Sequence, residues 1–148
     1  MTNYLNESVS MRIEADPSAC FQQMKDFESY PLWQKAISTA KILEHHDTEP
    51  VVEFVADVLV KKVRYVLRYK IDEEKNRLSW GFIEGDIKFA AGYFEAVELH
   101  PGISQASYQL NIDPGFWVPN LIIQAVKKIV MAGVLHDLQK RMLAVGSR

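Results

Sequence analysis

The stretch PNLIIQAVKKIVMAGVLHDLQKRMLAV, residues 119–145, decides the architecture of this chain. Its apolar side chains, Leu121, Ile122, Ala125, Val126, Ile129, Val130, Val134, Leu135, Leu138, Met142 and Leu143, recur at helical spacing and cover far more than a narrow stripe. Gln124, Lys127, Lys128, Asp137, Gln139, Lys140 and Arg141 fall mostly on the other side. A helix this broadly apolar requires a broad partner surface. Upstream, residues 38–112 read as successive short strands, so the partner expected is the concave face of a curved antiparallel sheet. A long helix laid across a strongly bent sheet leaves a hollow beneath it.

Period-two alternation locates the strands. Residues 7–14 set Val9, Met11 and Ile13 against Ser8, Ser10, Arg12 and Glu14, the pattern of a half-buried strand. Asp16-Pro17 then reads as a helix start, with Asp16 placed to cap and Pro17 at the first helical position, followed by a short helix to about Phe27. A second helical turn carries Tyr30 and Trp33. Residues 37–44 and 51–60 form a hairpin around the polar turn 45–50, and Val52, Phe54, Ala56 and Val58 share one face. In residues 62–71, Val63, Tyr65, Leu67, Tyr69 and Ile71 alternate against Lys62, Arg64, Arg68 and Lys70, which points two tyrosines inward. Leu78, Trp80 and Phe82 share a face of the next strand, and Gly85-Asp86 closes a hairpin. Residues 87–99 are ambiguous in parity. The expectation adopted puts Ala90, Gly92, Phe94 and Ala96 inward, because small side chains make room in a concavity. In residues 104–112, Ala106, Tyr108, Leu110 and Ile112 lie on one side.

Composition narrows the classes of function. A length of 148 residues fits one domain with a core that needs neither metal nor disulfide. The net charge of -2 and a pI near 6.1 give no basic surplus for nucleic acid. A single cysteine, Cys20, and an N-terminus without a basic start or apolar core lead to the expectation of a cytoplasmic protein. The longest apolar run, residues 129–135, is seven residues, far short of the roughly 20 that span a bilayer.

Several segments resemble one superfamily: Asp26-Phe27-Glu28-Ser29-Tyr30-Pro31-Leu32-Trp33, the Tyr65-x-Leu67-x-Tyr69 strand, Leu78-Ser79-Trp80, Gly92-Tyr93-Phe94, and Pro119 opening a helix that ends in Leu138-Gln139-Lys140-Arg141. The chain resembles the superfamily that includes START lipid-transfer domains, the birch-pollen allergen, aromatic polyketide cyclases and coenzyme Q-binding proteins. Within it, the bacterial polyketide cyclase/dehydrase-like and coenzyme Q-binding-like group is the most similar. The resemblance implies an α+β helix-grip fold, with a curved antiparallel sheet of about seven strands, two short helices and a long C-terminal helix over a cavity. It also implies a hydrophobic small molecule as partner: a lipid, an isoprenoid quinone or a polyketide-like compound. Fold alone does not choose among carrier, polyketide cyclase/dehydratase and a protein-binding module resembling ribosome-association toxins.

The candidate ligand-binding residues follow from chemistry and placement. Tyr65, Tyr69, Trp80 and Tyr108 combine large apolar area with one polar tip, which suits a greasy pocket that orients one end of its guest. Phe54 and Phe94 share their faces, and Ile122, Val126 and Ile129 face them from the helix. Trp33 serves either to wedge the small helices against the sheet or to touch ligand. His136, spaced from Ile129 and Gly133 so as to turn toward the sheet, is the candidate for proton transfer, with an exposed structural histidine as the alternative. Phe116, Trp117 and Val118 either plug the end of the sheet or form a gate whose exposed aromatics touch a membrane surface transiently. His45 and His46 lack a partner at ligand spacing, so no metal is expected, nor any cofactor, and Cys20 reads as a buried thiol. No nucleophile elbow, phosphate loop or dinucleotide fingerprint is present, and no catalytic residue is assigned. Burying roughly 300 Å² of apolar ligand at about 25 cal/mol per Å² yields on the order of 7 kcal/mol before ordering costs, enough for a carrier without further devices.

Overall fold

The computed structural model describes residues 5–58 and 61–146. Strand β1 (Leu5–Ile13) leads into α1 (Pro17–Lys25), a 3-10 turn (Phe27–Ser29) and the single turn α2 (Tyr30–Trp33). Six strands follow: β2 (Ile37–Glu44), β3 (Val51–Val58), β4 (Lys61–Asp72), β5 (Arg77–Gly85), β6 (Phe89–His100) and β7 (Ile103–Asp113). The last helical run comprises α3 (Asn120–Lys127), a π turn (Lys128–Ala132) and α4 (Gly133–Gly146). Val60 and the side chain of Val58, assigned above to the third strand, lie outside the described residues. All seven strands form one antiparallel sheet in the order β1-β7-β6-β5-β4-β3-β2. The helical run crosses its concave face in the helix-grip arrangement expected.

Alternation sets which residues face inward. Leu5 and Ile13 of β1, Leu67 and Tyr69 of β4, Leu78 and Trp80 of β5, and Ala106 and Leu110 of β7 are buried on the concave side. The ambiguous strand β6 turns Ala90, Phe94 and Ala96 inward. Glu95 consequently lies on the convex face, where it accepts a hydrogen bond from Arg77 Nη1 at 3.1 Å while that guanidinium stacks 4.1 Å from the Tyr93 ring. Arg64 similarly ties three strands together on the outside, reaching Glu53 at 2.8 Å and Glu84 at 2.9 Å.

Two glycines shape the sheet. At Gly85 (φ +149°), an added Cβ would meet the Arg64 carbonyl oxygen at 2.5 Å, and a register shift separates Val66 from Leu67 on the facing strand. At Gly92, an added Cβ would lie 2.0 Å from the Gln109 carbonyl oxygen and 3.0 Å from the Trp80 ring. The β5–β6 ladder ends at this residue, with Trp80 paired to Gly92 as its last pair. Only a residue without a side chain lets the backbone and the indole approach so closely.

The two halves of the helical run are held very differently. In α4, Asp137 Oδ2 accepts the Lys35 backbone N–H at 3.0 Å, Gln139 Oε1 accepts the Glu14 N–H at 2.9 Å, and Arg141 Nε donates to Gln23 Oε1 at 3.3 Å. Val134, Leu135, Leu138 and Met142 are buried beneath it. By contrast, α3 contains no buried residue, and Leu121, counted above on the apolar face, is 80% exposed. Two helix starts also differ from expectation. Asp16 holds the N-cap position of α1, but its carboxylate accepts the Gly102 N–H at 2.9 Å across the β6–β7 turn instead of capping the helix. Pro119 is the N-cap of α3, not its first helical residue, because its ψ of 142° is extended.

The glycine geometry yields a matched pair of expectations. Gly92→Ala will lower stability by about 2 kcal/mol or more, since a backbone carbonyl cannot retreat, whereas Gly81→Ala, with nothing within 4 Å of the new Cβ, will stay within about 1 kcal/mol of the parent. Denaturant unfolding of both variants measures the difference.

Candidate ligand-binding cavity

Between the concave face and the helical run lies a cavity of about 230 Å³. Its wall is built by consecutive inward positions of β4 (Val63, Tyr65, Leu67, Tyr69), with Phe54 and Ala56 from β3, Trp80 from β5 and Tyr108, Leu110 and Ile112 from β7. Ile122, Ile123, Val126, Val130 and Val134 roof it. Lys61, Pro114, Phe116 and Val118 form its mouth, where the Lys61 ammonium sits 4.8 Å from the centre of the Phe116 ring.

The aromatic side chains make one connected series. Tyr30 stands edge-on to Trp33 with centroids 5.5 Å apart and stacks on Phe54 at 5.6 Å. Phe54 contacts Tyr65 at 5.6 Å and Tyr69 at 6.3 Å; Tyr69 meets Trp80 at 5.7 Å, and Trp80 meets Tyr108 at 5.4 Å. Such tilted and edge-on pairs fix each ring against its neighbours. Tyr30 Oη donates to the Met24 carbonyl at 2.5 Å. Among the described residues, the hydroxyls of Tyr65, Tyr69 and Tyr108 have no hydrogen-bond partner. Burial raises the pKa of all four phenols, and the charges they would carry on ionisation repel one another for Tyr30, Tyr69 and Tyr108. Tyr65 and Tyr108 keep some open surface because they face the hollow itself. All four therefore remain neutral donors at physiological pH.

Of the residues anticipated from sequence, Phe54, Tyr65, Tyr69, Trp80, Tyr108, Ile122 and Val126 line this space. Five others do not. Trp33 is held outside it, its Nε1 donating to Ser29 Oγ at 3.0 Å. Phe94 is fully enclosed in the packed part of the core. Trp117 projects outward and is 63% exposed. Ile129 and His136 are displaced by the π turn. A π turn closes i→i+5 hydrogen bonds and carries one more residue than an α turn, so later side chains advance by one position round the helix. Val130 faces the cavity where Ile129 was expected, and Asp137 turns inward while His136 is exposed.

Gln34 was missed altogether. It is 6% exposed, lines the cavity, and its Nε2 has no hydrogen-bond partner among the described residues. No periodicity marks it, because it ends the single turn α2 instead of occupying a strand or long helix. Cys20 is buried against Ser104, and desolvation raises its thiol pKa to about 11, which leaves it inert. His46 pairs with Glu44 at 3.1 Å, and no cluster of metal-ligating side chains occurs among the described residues.

Comparison with known proteins follows the same lines. The family model described as polyketide cyclase/dehydrase and lipid transport matches residues 13–139, and the chain belongs to that family. No curated protein matches the sequence. Among solved structures, the chain is similar to a START superfamily protein from Mycobacterium smegmatis, at 16% identity and a TM-score of 0.83 over 95% of this chain and 98% of that one. It is also similar to the Zhui aromatase/cyclase from Streptomyces sp. R1128, at 15% identity and 0.78 over 95% and 96%. A STAR-related lipid transfer protein from Xanthomonas axonopodis aligns at 17% identity and 0.75 over 93% and 85%. At these identities the likeness shows the shared helix-grip fold. No described helix is long and apolar enough to cross a membrane.

The phenols give two measurable consequences. Tyr30→Phe removes a made hydrogen bond and will cost about 1 kcal/mol, whereas Tyr69→Phe removes an unpartnered hydroxyl and will be neutral or stabilising in denaturant unfolding. Because the folded pKa values lie above the ordinary value of 10.0, the unfolded chain releases these protons first as pH rises. Stability present below pH 10 will therefore fall above it, by up to about 1.4 kcal/mol per pH unit for each buried tyrosine. Urea midpoints measured from pH 8 to about 11.5 against the tyrosinate absorbance band check the slope.

Proposed function

We propose that the protein is a single-domain carrier that binds a hydrophobic small molecule in the cavity beneath α3 and the π turn and works in the cytoplasm. One observation carries this reading: a space of about 230 Å³, walled almost wholly by apolar and aromatic side chains, persists between a sheet and a helix that elsewhere pack tightly. For scale, a dry cavity of about 150 Å³ in another protein holds benzene. This one suits a compact ring system or a short apolar segment, so a long isoprenoid tail would have to leave through the mouth.

A polyketide cyclase or dehydratase acting in the same cavity is the competing reading, favoured by the aromatase/cyclase among the similar structures. Such an enzyme needs a base as well as an acid. The described lining supplies phenols and one amide, with Lys61 at the mouth, and neither a histidine nor a carboxylate. Donors without a base support binding over turnover. The exterior of the mouth adds a means of delivery: Trp117 and Leu121, 63% and 80% exposed, are shaped to dip into a membrane interface and bring the opening to a bilayer.

The test combines binding and transfer. Native mass spectrometry and solvent extraction of the purified protein are expected to reveal a hydrophobic guest. Val126→Trp, which fills the cavity from its roof, will abolish uptake of a fluorescent aromatic lipid probe without loss of circular dichroism. Trp117→Ser with Leu121→Ser will keep that affinity but slow probe transfer between vesicles about tenfold. Unchanged uptake by Val126→Trp would remove the cavity from the function.

A further inference from the structure

Gln34 carries information about the guest that the apolar wall does not. Its backbone is fixed on every side. The Gln34 N–H donates to the Tyr30 carbonyl at 2.7 Å, its own carbonyl accepts the Ile37 N–H at 3.2 Å, and the next amide, that of Lys35, is held by buried Asp137 at 3.0 Å. The amide side chain is thus presented to the cavity from a rigid base, and its Nε2 remains without an acceptor though enclosed. A buried donor left unpaired is costly, and one that lines a cavity can be completed by an acceptor on a bound guest.

The rest of the lining narrows the complement. Phenols of Tyr65, Tyr69 and Tyr108 line the same space as further donors, and no carboxylate among the described residues lines it to balance a cationic guest. Among the described lining residues Lys61 is the one cation, and it is exposed over Phe116 whereas Gln34 is buried. On the reading that this cavity binds a hydrophobic molecule, we propose that its guest is a compact, uncharged ring compound bearing a carbonyl oxygen, which accepts the free N–H of Gln34. Asp137 acts as a positioning residue: by clamping the Lys35 amide, it holds the turn that aims Gln34 inward.

A pair of near-isosteric bicyclic probes tests this, α-tetralone with a ketone and tetralin without one, titrated by calorimetry and by quenching of tryptophan fluorescence. Wild-type protein is expected to bind α-tetralone about tenfold or more tightly than tetralin, although tetralin is the more apolar. Gln34→Met, which keeps the length of the side chain and loses the amide, will bind tetralin as well as the parent does and show no preference for the ketone. Equal or tighter binding of tetralin by wild-type protein would overturn the inference while leaving a hydrophobic binding site. Retention of the ketone preference by Gln34→Met would overturn the assignment to Gln34 and move it to the phenols. Binding of neither probe would overturn both the inference and the carrier reading beneath it. Should Gln34→Met fail to fold, a combined Tyr65→Phe, Tyr69→Phe and Tyr108→Phe variant decides the assignment: a ketone preference kept without the phenol hydroxyls is the result expected, and its loss with Gln34 intact would overturn the assignment to Gln34.

Discussion

The approach of the Gln109 carbonyl to Gly92, close enough to exclude any Cβ, is the constraint on which the interior depends. Here β6 lies so near β7 that the Trp80 ring can cross above the glycine, and pairing between β5 and β6 stops at the same residue. Where α4 descends onto the sheet, Leu135 and Leu138 are buried in the same core as Ile13, Phe21 and Phe94. Under α3 a cavity remains between helix and sheet.

The packing of the two helical halves follows from how each is tied down. Polar links from Asp137, Gln139 and Arg141 fasten α4 to the chain on both sides of α1 and α2, so its buried leucines keep one position. On α3 the apolar residues Ile122, Ile123 and Val126 roof a space instead of being buried against partners, and an ion pair from Lys127 to Glu7 ties its last turn to β1. Close packing therefore sits under α4 and open space under α3. The aromatic series from Tyr30 to Tyr108 links the two, since each ring is braced by the next while several present a hydroxyl to the open side.

Much of this was legible in the residues themselves. Tyr65, Leu67 and Tyr69 alternate with charged neighbours so clearly that their orientation needed no further information, and the same holds for Trp80 and Tyr108. Strand β6 was harder, because both of its faces are partly apolar; the small residues Ala90 and Gly92 indicated the inner one. Reading failed where regularity failed. A constant helical period assigned Ile129 and His136 inward, and the π turn gave those places to Val130 and Asp137. For Trp33 and Trp117 the residues left two placements open each, and the structure puts Trp33 outside the cavity on Ser29 and Trp117 outward from a loop.

Sequence by itself determined the order of elements, the antiparallel sheet, the inward faces of its strands and the apolar character of the long helix, because each is a local property repeated every two or every three to four residues. Only the tertiary structure decided that the sheet and helix enclose space, that Gln34 Nε2 has no hydrogen-bond partner there among the described residues and that Asp137 is buried. Those facts depend on how closely backbones approach and on one added residue in a helical turn, and neither distance nor phase is written in a periodic pattern.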